Sequence, residues 1–206
     1  MVTDGLRNAE AATMRGSYPC LKAAIDFVMA ALLLIVLGPL MLLAALLIRF
    51  DSPGPAIYRQ KRVGRFGSLF TIYKFRTMKV GAPVLSTEEM QRQTAIPFTR
   101  LGPFLRKSNL DELPQLVNIL KGEMSFVGPR PALPSQTDVV NLRTERGADC
   151  VRPGITGLAQ VMGRDDLDVE TKVAHDADYC RNLGLLADCA ILLKTFGAVV
   201  SARGNK

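Results

Sequence analysis

The sequence predicts an α+β fold: a small domain with a short β-hairpin and several helices, carried behind one N-terminal membrane segment. Three observations predict it. An uncharged apolar run of 22 residues, "FVMAALLLIVLGPLMLLAALLI", occupies positions 27–48. Two strand-like stretches flank a Gly-bounded turn at 64–67. Beyond them "LDELPQLVNILKG" reads as a helix that opens on two adjacent carboxylates and closes on Lys121-Gly122.

The apolar run comes first. At 1.5 Å per residue it covers about 33 Å, enough to enter or cross the hydrocarbon of a bilayer. It is too long for an ordinary signal-peptide core. The residues before it include Asp4, Glu10 and Asp26 rather than a compact basic region with a cleavage site, so the segment is expected to stay in the mature protein. Gly38-Pro39 stands at its middle, where proline removes one helical hydrogen bond. Arg7, Arg15 and Lys22 precede the run, and Arg49, Arg59, Lys61 and Arg62 follow it. That charge distribution fits a kinked crossing, and it also fits a segment that enters and returns to one side. The turn cluster "DSPGP" then marks a boundary. The chain divides into a tail over 1–21, a membrane segment over 22–50 and a domain over 51–206.

Within the domain, "AIYRQKRVGRFGSLFTIYKFRTM" predicts a hairpin whose second strand alternates over 69–77, putting Lys74 and Arg76 on one face. Residues 81–97 form a loop-rich insert without legible chemistry. In "SNLDELPQL", Ser108 and Asn109 are good N-cap residues, and acids in a first turn interact favourably with the helix dipole. Asp111, Gln115 and Asn118 follow helical spacing with Glu112 beside them, so a polar face is expected there, with Arg106 and Lys107 just upstream. An ionised Asp in that position suits an oxygen nucleophile or a magnesium ligand. "FVGPRPALP" holds Arg130 between Pro129 and Pro131, a stiff presentation suited to a bidentate grip on phosphate. "VRPGITGLAQVMGR" adds Arg152 and Arg164 among glycines that let backbone N–H groups approach an anion. "RDDLDVETKVAHDADY" predicts an acidic helix with a solvated face.

Composition narrows the chemistry. With 26 Lys+Arg against 19 Asp+Glu, the net charge of +7 points to an anionic partner. The four cysteines are scattered without a C-x-x-C pair, so reduced thiols are expected. His175 is the only histidine, which leaves little material for a Ser-His-Asp triad or a His-rich metal site. Neither a P-loop nor a G-x-G-x-x-G fingerprint is present. A membrane-anchored nucleic-acid binder would also be basic, but it has no need of the carboxylate pair, and the interleaved aromatics of RNA-recognition modules are missing.

Taken in order, "YKFRTM", "SNLDELPQLVNILKGEMSFVGPRP" and "VRPGITGLAQVMGR" behind one hydrophobic segment closely resemble the monotopic phosphoglycosyl transferases, bacterial enzymes that begin glycan assembly on a polyprenyl phosphate. The resemblance runs from about Lys22 to the C-terminus and matches the minimal form of the family. It implies that Asp111 and Glu112 are the catalytic dyad and hold Mg2+. It implies that the Asp takes the phosphosugar from a UDP-sugar, releases UMP, and passes the group to undecaprenyl phosphate. Lys74, Arg76, Arg106, Pro129, Arg130, Pro131, Arg152, Arg164 and Asp176 are the implied substrate-binding set. The segment around Gly38 and Pro39 is implied to be a re-entrant helix-break-helix among membrane lipids, with the domain on the cytoplasmic face of the bacterial inner membrane. The chain departs from many members in having Gly38 where they carry Ser, and Leu158 where they carry Trp. No nucleic acid partner is implied, and homo-oligomerisation, the sugar and the pathway are left open.

Overall fold

The apolar run lies inside one helix, α1 (Tyr18–Asp51), 34 residues long. It belongs to a computed structural model that describes residues 17–83, 96–163 and 167–200. The break expected at Gly38-Pro39 is not found, because α1 continues through Pro39. Proline forfeits a single N–H, and the hydrogen-bonded turns on either side carry the helix across. Among the described residues this is the one helix long and apolar enough to cross a membrane.

α1 is not a free-standing rod. One stripe of it touches the domain from end to end. Lys22 pairs with Asp188 at 2.5 Å, and Asp26 accepts a hydrogen bond from the Phe126 N–H at 3.4 Å. Ala30, fully buried, packs with Phe70, Ile72, Leu116, Ile119 and Met124, joined by Leu33 and Leu34. Met41, Ala44, Ala45 and Ile48 pack with Phe75 and Leu105. At the C-terminal end the Leu101 N–H donates to Asp51 at 3.2 Å. The opposite face is exposed and apolar, with Leu32, Ile35, Val36, Leu42, Leu43 and Phe50 turned outward.

The hairpin forms as the alternation predicts. β1 (Ile57–Val63) pairs antiparallel with β2 (Leu69–Phe75), in a register from Ile57↔Phe75 to Val63↔Leu69. Its turn is docked, since the Phe66 N–H donates to the Asp149 carbonyl at 2.8 Å and Arg65 Nε donates to the Cys150 carbonyl at 2.7 Å. Next come α2 (Gly102–Lys107), a 3-10 helix (Leu110–Gln115) and α3 (Leu116–Leu120). β3 (Ser125–Val127) lies parallel to β4 (Gly154–Thr156). Around them stand α4 (Thr137–Glu145), α5 (Leu158–Met162), α6 (Val169–Arg181) and α7 (Leu185–Val200). A third core cluster, including Val127, Val139, Val173, Ala177, Tyr179 and Ile191, joins α4, α6, α7 and β3. All four cysteines are free, as expected.

"LDELPQLVNILKG" is therefore not one regular helix. Its first six residues are 3-10, and the caps differ from those expected. Ser108 Oγ donates back to the Phe104 and Leu105 carbonyls, closing α2 instead of opening the next helix. Asn109 sits in the left-handed region at φ 55°, a conformation that Asn tolerates better than most residues. It turns the chain sharply between α2 and the 3-10 helix.

Candidate active site

That turn delivers the carboxylate pair against β2. Asp111 is buried at 9% exposure, under the hairpin and beside α2. Glu112 Oε1 accepts from Lys74 Nζ at 2.7 Å and from Arg130 Nη2 at 2.9 Å, so one oxygen takes two cationic donors. The Lys74 and Glu112 side chains are 17% and 15% exposed, whereas Arg130 is 44% exposed and forms the solvent-open wall. Arg106 lies alongside, its Nε donating to Thr77 Oγ1 at 3.1 Å and its guanidinium 5.1 Å from the centre of the Phe98 ring.

The two carboxylates differ electrostatically. For Asp111, burial is the largest effect and pushes its pKa up to about 6; Glu112 adds to this, while Lys74, Arg106 and Arg130 oppose it. Burial also penalises Glu112, but the charges and hydrogen bonds of Lys74 and Arg130 outweigh it and hold that carboxyl well below the usual range. Asp111 is thus the more basic oxygen of the pair, and Glu112 is a fixed anion.

The site is braced by groups that carry no chemistry. Asn118, expected on a polar face, is fully buried. Its Oδ1 accepts from the Tyr73 N–H at 3.1 Å, and its Nδ2 donates to the Thr71 carbonyl at 2.7 Å. It stitches α3 to the free edge of β2 and so sets Lys74 opposite Glu112. Gln115 is buried as well. The Pro129-Arg130-Pro131 segment is held by its carbonyls. Gly154 N–H donates to Pro129 O at 2.9 Å, Arg143 Nη1 to Arg130 O at 2.8 Å, Arg62 Nη1 to Pro131 O at 3.2 Å, and Val63 N–H to Ala132 O at 2.9 Å. Prolines lack N–H groups, so carbonyls are the handles by which such a segment can be fixed.

Several expected substrate contacts stand elsewhere. Arg76 does not join Lys74, because β2 ends at Phe75 and strict alternation ends with it. Its buried guanidinium binds the Pro53, Ile48 and Ser52 carbonyls and Ser52 Oγ, capping the C-terminal end of α1. Asp176 is fully buried and accepts from Arg143 Nε and Nη2 at 3.0 and 2.6 Å. Arg152 packs against Gly122 at the far end of α3 from the carboxylates. Arg164 lies outside the described residues. Sequence reasoning missed Arg143. The available signal was its place four residues after Val139 on the inward face of α4.

Among the described residues no cluster of three or more His, Cys, Asp or Glu side chains forms a metal cage. The donor set suits the other way of holding Mg2+, in which one or two carboxylates and substrate phosphates share the ion. The adjacent Asp111 and Glu112 carboxylates supply oxygens of that kind.

A family model described as "Bacterial sugar transferase" matches residues 17–202. The exopolysaccharide production protein ExoY of Sinorhizobium fredii is 40% identical over 200 residues, covering 89% of this chain and 87% of that protein. The UDP-glucose:undecaprenyl-phosphate glucose-1-phosphate transferase of Caulobacter vibrioides is 41% identical over 187 residues, 87% of this chain and 70% of its own length. The undecaprenyl-phosphate galactose phosphotransferase of Salmonella typhimurium is 40% identical over 204 residues, but the match covers only 41% of that longer protein.

Proposed function

We propose substrates and a mechanism for this chain, which belongs to the bacterial sugar transferase family and is a phosphoglycosyl transferase. The donor is a UDP-sugar and the acceptor undecaprenyl phosphate, the pair that relatives' names carry. The observation that carries the mechanism is the split within the dyad: a buried, basic Asp111 beside a Glu112 already pinned by two cations.

Asp111 is the nucleophile. An ionised Oδ attacks the sugar-bearing phosphorus, the bond from that phosphorus to the oxygen of UMP breaks, and UMP leaves. Asp111 is then an acyl phosphate, a mixed anhydride carrying the sugar on its phosphate. A phosphate oxygen of the lipid acceptor attacks the same phosphorus, releasing the Asp111 carboxylate and the polyprenyl-diphosphate sugar. Arg130, on the open wall, and Arg106 balance charge on the diphosphate as it shifts to the leaving group. Lys74 and Arg130 keep Glu112 fixed, so the anion next to Asp111 does not wander into the path of attack. Mg2+, held by Asp111 and Glu112 with the substrate phosphates, would add electrophilic assistance to departure of UMP.

Both halves of α1 lie against the domain, which supports one-sided membrane association over a crossing. A crossing helix would carry the domain at one end only. The exposed apolar face of α1 enters the cytoplasmic leaflet, and α7, with Leu186, Leu193 and Phe196 outward, lies beside its N-terminal end. A lipid acceptor then reaches Asp111 without leaving the bilayer surface.

The test is UMP release across a panel of UDP-sugars, with undecaprenyl phosphate and Mg2+. At least one sugar should support release that depends on the lipid for multiple turnovers. No release with any of them, from well-folded protein, would overturn the reading.

A further inference from the structure

The proposed phosphate contact of Arg130 raises a question of aim. Its own backbone carbonyl is gripped by Arg143 at 2.8 Å, and Arg143 is in turn locked by Asp176 through two hydrogen bonds to a single oxygen. Arg143 is 9% exposed and Asp176 fully buried. Among the described residues Asp176 Oδ1 has no hydrogen-bond partner, and Arg143 supplies both hydrogen bonds that the other oxygen accepts. The pair joins α4 to α6, and the third arm of the guanidinium is spent on one atom of the segment that carries the open wall of the site.

We propose that Arg143, oriented by Asp176, is a positioning residue that sets the reach of Arg130. This rests on the reading of Arg130 as a substrate contact. The flanking carbonyls are held by Gly154, Arg62 and Val63, so the rail as a whole survives loss of the Arg143 contact. Loss of the contact removes the Arg143 hold on the Arg130 carbonyl and loosens the peptide plane next to the Arg130 side chain. Arg130 then loses its pre-aimed geometry towards Glu112 and the substrate phosphates, and pre-aimed geometry is what a planar, bidentate donor contributes beyond charge.

A plain structural role and a positioning role differ in one respect: the second acts through Arg130. Two variants remove the contact differently. Arg143→Lys keeps the charge beside Asp176 but loses the fork that serves two acceptors at once. The double replacement Arg143→Met with Asp176→Leu removes both buried charges together, a change that buried ion pairs often tolerate. Each is made in the full chain, membrane-extracted, alone and in an Arg130→Ala background, and steady-state UMP release with the active UDP-sugar and undecaprenyl phosphate is measured beside thermal melting. With Arg130 present we expect a loss of about tenfold in kcat/KM, mostly as raised KM, and in the Arg130→Ala background a loss of less than about twofold. Equal losses in the two backgrounds, or no loss with Arg130 present, would overturn the proposal while leaving the dyad intact. An Arg130→Ala protein with wild-type kinetics would instead remove the substrate reading of Arg130 on which it rests.

Discussion

Two clusters of opposite charge share Arg130, one at its side chain and one at its backbone, and they are built differently. Around Glu112, two cations converge on one oxygen, and one of them stands nearly half exposed. Around Asp176, a single arginine is enclosed and hydrogen-bonded on every arm. The open cluster holds more positive charge than its own carboxylate needs, which is what an incoming diphosphate requires. The closed cluster leaves no arm of its guanidinium unspent, as befits a brace. Surplus charge facing solvent, not burial or ion pairing as such, separates the proposed site from its scaffold.

The contrast breaks most severely at Asp111. Asp111→Asn should cost on the order of 10³-fold or more in turnover, since the variant loses the more basic carboxylate of the pair. Glu112→Gln should come next, at about 10²-fold, because Lys74 and Arg130 lose the anion that fixes them. A stopped assay of UMP release ranks the two. Their order would reverse if Glu112, rather than Asp111, were the attacking group.

Arg76 sharpens the contrast from the scaffold side. Arg76→Met removes a charged donor that binds four acceptors around the end of α1, so stability should fall by about 3 kcal/mol. The KM of the folded fraction should stay within about twofold, because Arg76 lies outside the dyad cluster. A large KM change with an unchanged denaturation midpoint would return Arg76 to the substrate.

The smallest effect is a pH signature. The folded-state pKa of Asp111, about 6, lies above its ordinary value of 3.8, so the folded protein binds more protons between those limits. Its stability contribution is therefore full at low pH and is lost as pH rises through about 6, amounting to about 2–3 kcal/mol. The contribution of Glu112 runs the other way and is lost only in acid below its ordinary value of 4.5. Melting curves of wild type and Asp111→Asn should diverge in favour of the Asn variant between pH 4.5 and 7. A constant gap across that range would mean that Asp111 carries no burial penalty.

How far the sequence could be read follows from the range of the interactions. The hairpin was legible because alternation and a Gly-bounded turn are local, and Glu112 and Arg130 stood out because acids and stiffened arginines are conspicuous. The one-sided packing of α1 was not legible. It depends on which stripe of an almost uniformly apolar helix meets Phe70 and Leu116, and the small residues that mark it, Ala30, Ala44 and Ala45, acquire meaning only once those distant partners are in place. The bracing roles of Asn118, expected instead on a polar face, and of Arg143 were hidden for the same reason, since their partners lie 45 and 33 positions away. The helix start at Asp111 misled in a different manner. Cap residues were present, but Ser108 closes the preceding helix and Asn109 takes a left-handed turn, so burial against β2, and not a helix dipole, governs the charge state of Asp111.

The covalent step at Asp111 is the central claim, and a single-turnover experiment without acceptor addresses it most directly. Purified protein, Mg2+ and the active UDP-sugar are mixed with no polyprenyl phosphate, and UMP is quantified against enzyme. A burst that does not exceed one UMP per enzyme, absent in Asp111→Asn, with a phosphosugar adduct on Asp111 by mass spectrometry, is the predicted result. UMP that appears only when the lipid phosphate is added would contradict it, and would make the transfer a direct one within a ternary complex.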